Sequence, residues 1–431
     1  MTRTAEAAAL LAACALAAVG VTLVNLARGG AVDAQTGLTF IVFALSFGAL
    51  HLAARTWAPY GSTLLLSPIA ALTAIGFMEV YRLDPDRAVL QRWWLLIAAA
   101  VAAAALFALS KSGVMVLRRY RNITLLVTVL LLLLPNLPSD WPFPMRGLEQ
   151  NGSRLWVVID FGFTGLQFQP AEIAKLTFVA FLAGYLADRQ QALRLAHRRI
   201  GFLHIPEPRQ LVPLVAVWGL SVVILTSQRD LGASLLLFAG FVLMLYAATG
   251  GAGYLVVGGL LTVGGGVAAY SAFSHVQRRV EAWLRPFADY EDAGYQVAQG
   301  FFGLGTGSLS GAGPGLGRPD LIPNASTDFM LAAVGEELGF AGTVAVLALF
   351  ALFLAVGLGI AFRSRDVYRK LLAAGLTFVI GVQTFLIIGG VLRVVPLTGI
   401  TLPFMSYGGS ALVGNMLLVA ILLRVSHEEA L

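Results

Sequence analysis

Apolar runs of about the length of a membrane span, divided by short polar joints, fill this chain from end to end. A helix rises ~1.5 Å per residue and needs about 20 apolar residues to cross a ~30 Å hydrocarbon layer. Twelve stretches meet or approach that length: 6–27, 36–54, 62–81, 93–110, 123–137, 170–187, 211–226, 231–249, 251–272, 342–361, 371–391 and 409–424. The first is longer than the apolar core of a secretory leader (~7–15 residues), which predicts a retained helix. The pattern predicts an all-α, polytopic membrane protein of about twelve spans. Two long polar stretches, 138–169 and 273–325, and an irregular one, 391–408, lie between spans. Within 273–325, Val276, Val280 and Leu284 share a helical face, with Arg278 and Arg279 off it. That pattern predicts a short helix at the membrane surface.

Composition narrows the class. Hydrophobic residues make up 58% of the 431 and charged residues 12%, about half the ~25% charge of a soluble domain. The mean hydropathy is +0.81. These values exclude a soluble enzyme and a disordered chain. The lone Cys14 excludes a disulfide framework, and the five histidines show no HxxxH or HExxH spacing. The net charge of +6 does not call for nucleic acid, because membrane proteins concentrate Lys and Arg in their inside loops. With the N-terminus inside, 16 basic residues face the cytoplasm, among them Arg55, Arg118, Arg119 and Arg121. Twelve face outward, and Lys175 lies within a helix. An even number of spans then puts both termini inside and all three polar stretches outside. The outer Arg92, Arg154 and Arg393 are either ordinary loop charge or a dock for an anionic lipid head group, whose phosphate oxygens match the guanidinium fork.

Charges near a bilayer are costly unless paired, so they are the strongest functional signal. Glu172 and Lys175 follow Pro170 and share a helix face, where they can form a pair or line an outward cavity. Asp230, in Gln228-Arg229-Asp230-Leu231-Gly232, opens the next helix and has the character of an N-cap. Residues 328–361 as one helix would extend about 51 Å, beyond the bilayer core, so a break is expected at Gly335, Gly339 or Gly342. Asp328 would then head a half-helix, with Glu336 about 12 Å deeper. It is either a helix-start acid or a solvent-reachable base. Pro396 and Pro403 with Gly399, Gly408 and Gly409 preclude a regular helix over 393–410. A re-entrant turn offering Ser406 and Tyr407 is expected there. The G-x-G spacings between Gly303 and Gly317 follow no strand, which argues against a dinucleotide loop.

Four blocks together resemble one family. They are Asn151-Gly152-Ser153-Arg154-Leu155-Trp156 leading to Gln167-Phe168-Gln169-Pro170-Ala171-Glu172; Gln228 to Gly232; Thr327-Asp328-Phe329 through Glu336-Glu337-Leu338-Gly339; and Pro403-Phe404-Met405-Ser406-Tyr407-Gly408-Gly409-Ser410. In this order the chain resembles the SEDS (shape, elongation, division and sporulation) proteins over about residues 62–425, with a lean toward the elongation branch. Ala171, Arg229 and Ser326 stand where that family commonly has serine, proline and histidine.

The resemblance implies a ten-helix core with an added N-terminal pair over 1–55 and a short cytoplasmic tail at 426–431. It implies a peptidoglycan glycosyltransferase that polymerises lipid II outside the bacterial cytoplasmic membrane, releasing undecaprenyl diphosphate. Asp328 would be the catalytic base. Arg92, Arg154 and Arg393 would meet the diphosphate. Trp156, Glu172, Lys175, Asp230, Ser406 and Tyr407 would shape the substrate site. A divalent cation, Mg²⁺ or Mn²⁺, would bridge carboxylate and phosphates, with no cofactor otherwise implied. The expected partners are membrane lipids and a class B penicillin-binding protein, a single-span transpeptidase. A lipid-linked sugar flippase and a non-catalytic scaffold for the transpeptidase are the competing readings.

Overall fold

The computed structural model describes residues 2–138, 145–150, 153–160, 165–195, 197–200, 203–206, 208–288, 290 and 294–431. Asn151 and Gly152 of the first block lie outside them. The helices are α1 (Arg3–Ala27), α2 (Ala34–Trp57), α3 (Leu66–Leu83), α4 (Pro85–Ser112), α5 (Met115–Arg119), α6 (Arg121–Leu133), α7 (Ala171–Leu195), α8 (Pro208–Ser227), α9 (Leu231–Thr249), α10 (Gly253–Ala272), α11 (Ser274–Leu284), α12 (Tyr295–Gly307), α13 (Met330–Arg363), α14 (Val367–Val391) and α15 (Gly409–Glu429). Each of the twelve apolar stretches is helical. Among the described residues nine helices are long and apolar enough to cross a membrane, fewer than the twelve expected. The 123–137 and 211–226 stretches give shorter apolar helices. In α7, Glu172, Lys175, Asp188 and Arg189 interrupt the apolar length.

The all-α expectation needs one amendment. The stretch 138–169 contains strands β1 (Met145–Gln150), β2 (Ser153–Asp160) and β3 (Gly165–Phe168), paired antiparallel in the order β1-β2-β3. Val157 pairs with Gly147 on one side and Phe168 on the other. A Cβ at Gly147 would lie 2.3 Å from the Pro135 carbonyl oxygen, so only glycine lets β1 lie against that turn. A second hairpin joins β4 (His197–Ile200) to β5 (Leu203–Pro206).

The chain forms two compact units, residues 1–111, 267–356 and 383–431, and residues 112–266 and 357–382. In the first, α1 packs on α2 and α3. Gly20 allows that approach, since a Cβ there would lie 2.8 Å from Met78 Cγ. Arg28 donates to the Arg82 carbonyl at 2.5 Å, and the Tyr81 hydroxyl donates to Asn25 at 2.8 Å. At the other end Arg3 pairs with the buried Glu6 at 2.6 Å and donates to the Ala58 carbonyl at 2.8 Å. Almost every side of α15 is buried, and Arg424 donates to the Trp57 carbonyl at 2.9 Å. In the second unit α7 packs on α5, α6 and α9. The Thr128 and Thr177 hydroxyls share a hydrogen bond of 2.7 Å, and Trp218 lies 4.7 Å from Phe238 by ring centroids.

Candidate functional site

The expected interruption of α13 falls at Gly339, with φ 69° and ψ −167°. An unbroken helix would pair Phe340 N–H with the Glu336 carbonyl and Ala341 N–H with that of Glu337. Instead, Phe340 donates to Ser308 O (2.9 Å) and Ala341 to Leu309 O (3.1 Å). The freed carbonyls of Glu336 and Glu337 accept from Ala312 and Gly313, each at 2.9 Å. Two lost helical bonds are thus replaced by four from the glycine-rich segment 308–313. That role accounts for the G-x-G spacings. Gly311 has φ 82°, and a Cβ on it would lie 2.2 Å from the Glu337 carbonyl oxygen.

The two glutamates before the break are spent on the same clasp. Glu337, fully buried, accepts from Arg82 Nε at 3.0 Å and from Gly315 N–H at 2.8 Å. Glu336 accepts from Arg318 N–H at 2.6 Å. Arg82 also donates to the Gly317 carbonyl at 2.9 Å. Nearby, Glu79 is fully buried on α3, and neither of its carboxylate oxygens has a hydrogen-bond partner among the described residues. The apolar run 62–81 hid it in the sequence.

Asp328 stands two residues ahead of α13, in the turns 323–329. Phe329 behind it is fully buried, and its ring fills the space a Cβ at Gly300 would need. Asp328 is itself half-buried. Burial pushes its carboxyl up to about 6, against the opposing pull of the Arg279 charge and a hydrogen bond from Thr327. Arg279, on α11, is anchored by donation to the Thr398 carbonyl at 2.7 Å. Its electrostatic influence on a residue 49 positions away could not be read from spacing.

The irregular stretch 393–408 closes on the turn that carries this carboxylate. The Ser406 hydroxyl donates to the Thr327 carbonyl at 2.5 Å and accepts from Leu402 N–H at 3.0 Å. Tyr407 N–H donates to the Ser326 carbonyl at 2.8 Å. The turn fits because Gly76 and Gly409 lack side chains: a Cβ would lie 2.3 Å from Met405 O at the first and 2.1 Å from the Trp94 ring at the second. Arg87 donates to the Ser326 hydroxyl at 3.1 Å, and its guanidinium carbon lies 5.3 Å from the Tyr407 ring centroid. Burial pushes the Tyr407 phenol up, opposed by Arg87. Non-glycine residues with positive φ are Arg229, Ser308, Asn324, Arg393 and Phe404 among the described residues. Arg229, Arg393 and Phe404 lie in the turns singled out in the sequence, where sparsely populated backbone is held by surrounding contacts.

Asp328, Ser406 and Tyr407 therefore come together, and Arg279 and Arg87 join them. Two further arginines are engaged by protein groups. Arg92 is 5% exposed and donates through Nη2 to Gln35 of α2 at 2.7 Å, so it faces the N-terminal pair. Arg393 donates to the Trp283 and Leu284 carbonyls, while Trp283 Nε1 donates back to Arg393 O at 3.0 Å. These carbonyls end α11 and lack helical partners, so Arg393 acts as its C-terminal cap. In the second unit Lys175, 3% exposed, pairs with Glu172 at 2.6 Å. Asp230 caps α9 by accepting from Ala233 N–H at 2.9 Å. Arg154 and Trp156 stand on β2, Arg154 paired with Glu149 at 3.0 Å.

Comparison with known proteins places the chain in a family. The profile of the FtsW/RodA/SpoVE family, described as "Cell cycle protein", matches residues 62–431. The peptidoglycan glycosyltransferase RodA of Mycobacterium tuberculosis is 39% identical over 399 residues, 91% of this chain and 82% of that protein. The stage V sporulation protein E of Bacillus subtilis is 34% identical over 286 residues, 66% of this chain and 74% of that one. A chain solved in a study of how a peptidoglycan synthase complex coordinates polymerisation and crosslinking superposes with TM-score 0.67 at 26% identity, over 86% of this chain and 98% of its own length. Thermus thermophilus RodA shares the fold at TM-score 0.54 and 23% identity, over 86% of this chain and 97% of that one. The profile match over residues 62–431 and the 39% identity over 91% of this chain show that the protein belongs to the FtsW/RodA/SpoVE family.

Proposed function

We propose that this protein is a peptidoglycan glycosyltransferase that polymerises lipid II on the outer face of the bacterial cytoplasmic membrane. The observation that carries the reading is Asp328: a half-buried carboxylate ahead of a broken helix, in a turn whose Thr327 and Ser326 carbonyls are held by Ser406 and Tyr407. A sugar 4-hydroxyl attacks the anomeric carbon of the donor, with inversion. The new bond forms from the hydroxyl oxygen, whose proton passes to Asp328. The bond from the anomeric carbon to the phosphate oxygen breaks, and its electron pair leaves with undecaprenyl diphosphate. A carboxyl pushed up to about 6 is ionised at neutral pH yet basic enough to accept that proton.

The leaving diphosphate needs positive charge more than a proton. Arg279 and Arg87, both beside the Asp328 turn, are better placed for this than the buried Arg92 or the capping Arg393. Arg154, Trp156, Glu172, Lys175 and Asp230 are assigned to holding the substrate, as the family resemblance implies. Among the described residues no three His, Cys, Asp or Glu side chains could together hold a metal ion. A divalent cation here would take most of its ligands from the substrate phosphates, adding charge stabilisation to that of the arginines.

By the same reading the protein works beside a class B penicillin-binding protein. The family neighbour comes from a peptidoglycan synthase complex, and polymer made here needs a transpeptidase to crosslink it. The test is strand synthesis from purified lipid II by the reconstituted protein. Polymer from the parent chain and none from Asp328→Asn supports the assignment. Translocation of lipid II without polymer would make the protein a flippase.

A further inference from the structure

A cavity of about 810 Å³ opens in the second unit, around the joint of α5 and α6. Gly113, with φ 69°, turns the chain out of α4 and into it. Three arginines line the cavity, Arg118, Arg119 and Arg121, against one acid, Asp188 of α7. Asp188 holds two of them: Arg118 Nη2 lies 2.8 Å from Oδ1, and Arg121 pairs with Oδ2. A shared carboxylate fixes the two guanidinium groups and leaves the cavity with two uncompensated positive charges. Arg119 lies over the Tyr120 ring, 5.7 Å from its centroid, and has no carboxylate partner among the described residues. Met115 and Val116 supply an apolar wall. The charge count along the sequence assigns this joint to the inside face, where bacterial membranes present anionic head groups.

We propose that this cavity binds the phosphodiester head group of an anionic phospholipid. Arg118 and Arg121 form a preset fork for its oxygens. Arg119 closes over it from the exposed side, and the Met115 and Val116 wall receives the glycerol and the start of the acyl chains. Loop arginines that merely follow the inside-positive bias would sit on open surface, each free of the others. Here two share one acid inside a concavity. Basic pockets of this kind at the inner membrane surface select anionic lipids.

The site is separate from Asp328, so its test does not depend on the polymerase reading. The full chain is placed in phosphatidylcholine nanodiscs doped with phosphatidylglycerol, and retained phosphatidylglycerol is counted by native mass spectrometry. Arg119 is exposed, so Arg119→Gln leaves the fold intact and is expected to weaken retention about fivefold. Arg55→Gln removes one exposed inside charge from the end of α2 and is expected to leave retention unchanged. Equal losses for the two variants would overturn the site in favour of diffuse attraction. Displacement of phosphatidylglycerol by equimolar inorganic phosphate would overturn the lipid as ligand. Failure of inorganic phosphate to compete, with the loss confined to Arg119→Gln, is the supporting result.

Discussion

The Ser406 hydroxyl donates to the carbonyl of Thr327 at 2.5 Å, joining the turn before α15 to the residue beside Asp328. The irregular segment before α15 is thereby made part of the mounting of the turn that carries Asp328. Ser406→Ala removes the donor and leaves a buried carbonyl short of a partner, a loss of about 1–3 kcal/mol. Strand synthesis from lipid II should fall by more than the loss of folded protein in a thermal scan, because the base is displaced as well as the fold weakened. Equal declines in both measurements would reduce the latch to a packing contact.

Asp328 sets a pH dependence. Its carboxyl is pushed up to about 6 by burial, and in the proposed mechanism the base is the ionised form. Polymerisation should therefore rise with pH through about 6 and level off above it. Stability should move the other way. The folded-state value exceeds that of an ordinary aspartate, so the fold binds the extra proton and gains stability as pH falls from above 6 toward 4. Asp328→Asn should abolish synthesis and flatten this part of the stability curve. A rate profile unchanged between pH 5 and 7 would remove Asp328 as the base.

Arg82 and Glu337 form a buried pair at 3.0 Å, 13% and 0% exposed by side chain. Arg82→Ala leaves the carboxylate uncompensated and should destabilise the protein by about 3–5 kcal/mol. The double variant Arg82→Ala/Glu337→Gln should recover part of that loss, as read by chemical denaturation in detergent.

Glu79 calls for the opposite sign. Its two oxygens are buried without hydrogen-bond partners among the described residues, and Glu337 and Glu336 contribute like charge. Glu79→Met keeps the volume and removes the unsatisfied group, so the unfolding temperature should rise. A fall would reveal a polar contact that this carboxylate makes in the working protein.

Gly339→Ala tests the helix break. A Cβ there would lie 2.2 Å from Gly311 N–H nitrogen, at a φ that L side chains rarely adopt. The glycine clasp should loosen, exposing residues 308–313 to limited proteolysis, and activity should fall with it.

Much of this was legible in the sequence because membranes impose blunt constraints. The span length alone required the run 328–361 to break, and only glycines stood where it could. The three-residue spacing of Glu172 and Lys175 announced their pair, and Asp230 carried the mark of an N-cap. What stayed hidden depends on contacts between distant positions. Helix periodicity cannot say which face of α4 turns toward α2, and so the burial of Arg92 against Gln35 was not legible. The strands of 138–169 have weak alternation, and their stability comes from partners visible only after folding. Glu79 and Arg279 acquire their meaning from neighbours on other elements.

The seating of α1 on α3 has a consequence for assembly. Gly20 lies tight against Met78, and Arg28 and Arg3 tether the first helix at its two ends. That flank of α3 is already occupied by the protein's own chain. Another helix could dock on that flank only by displacing α1, so the N-terminal hairpin acts as its built-in occupant.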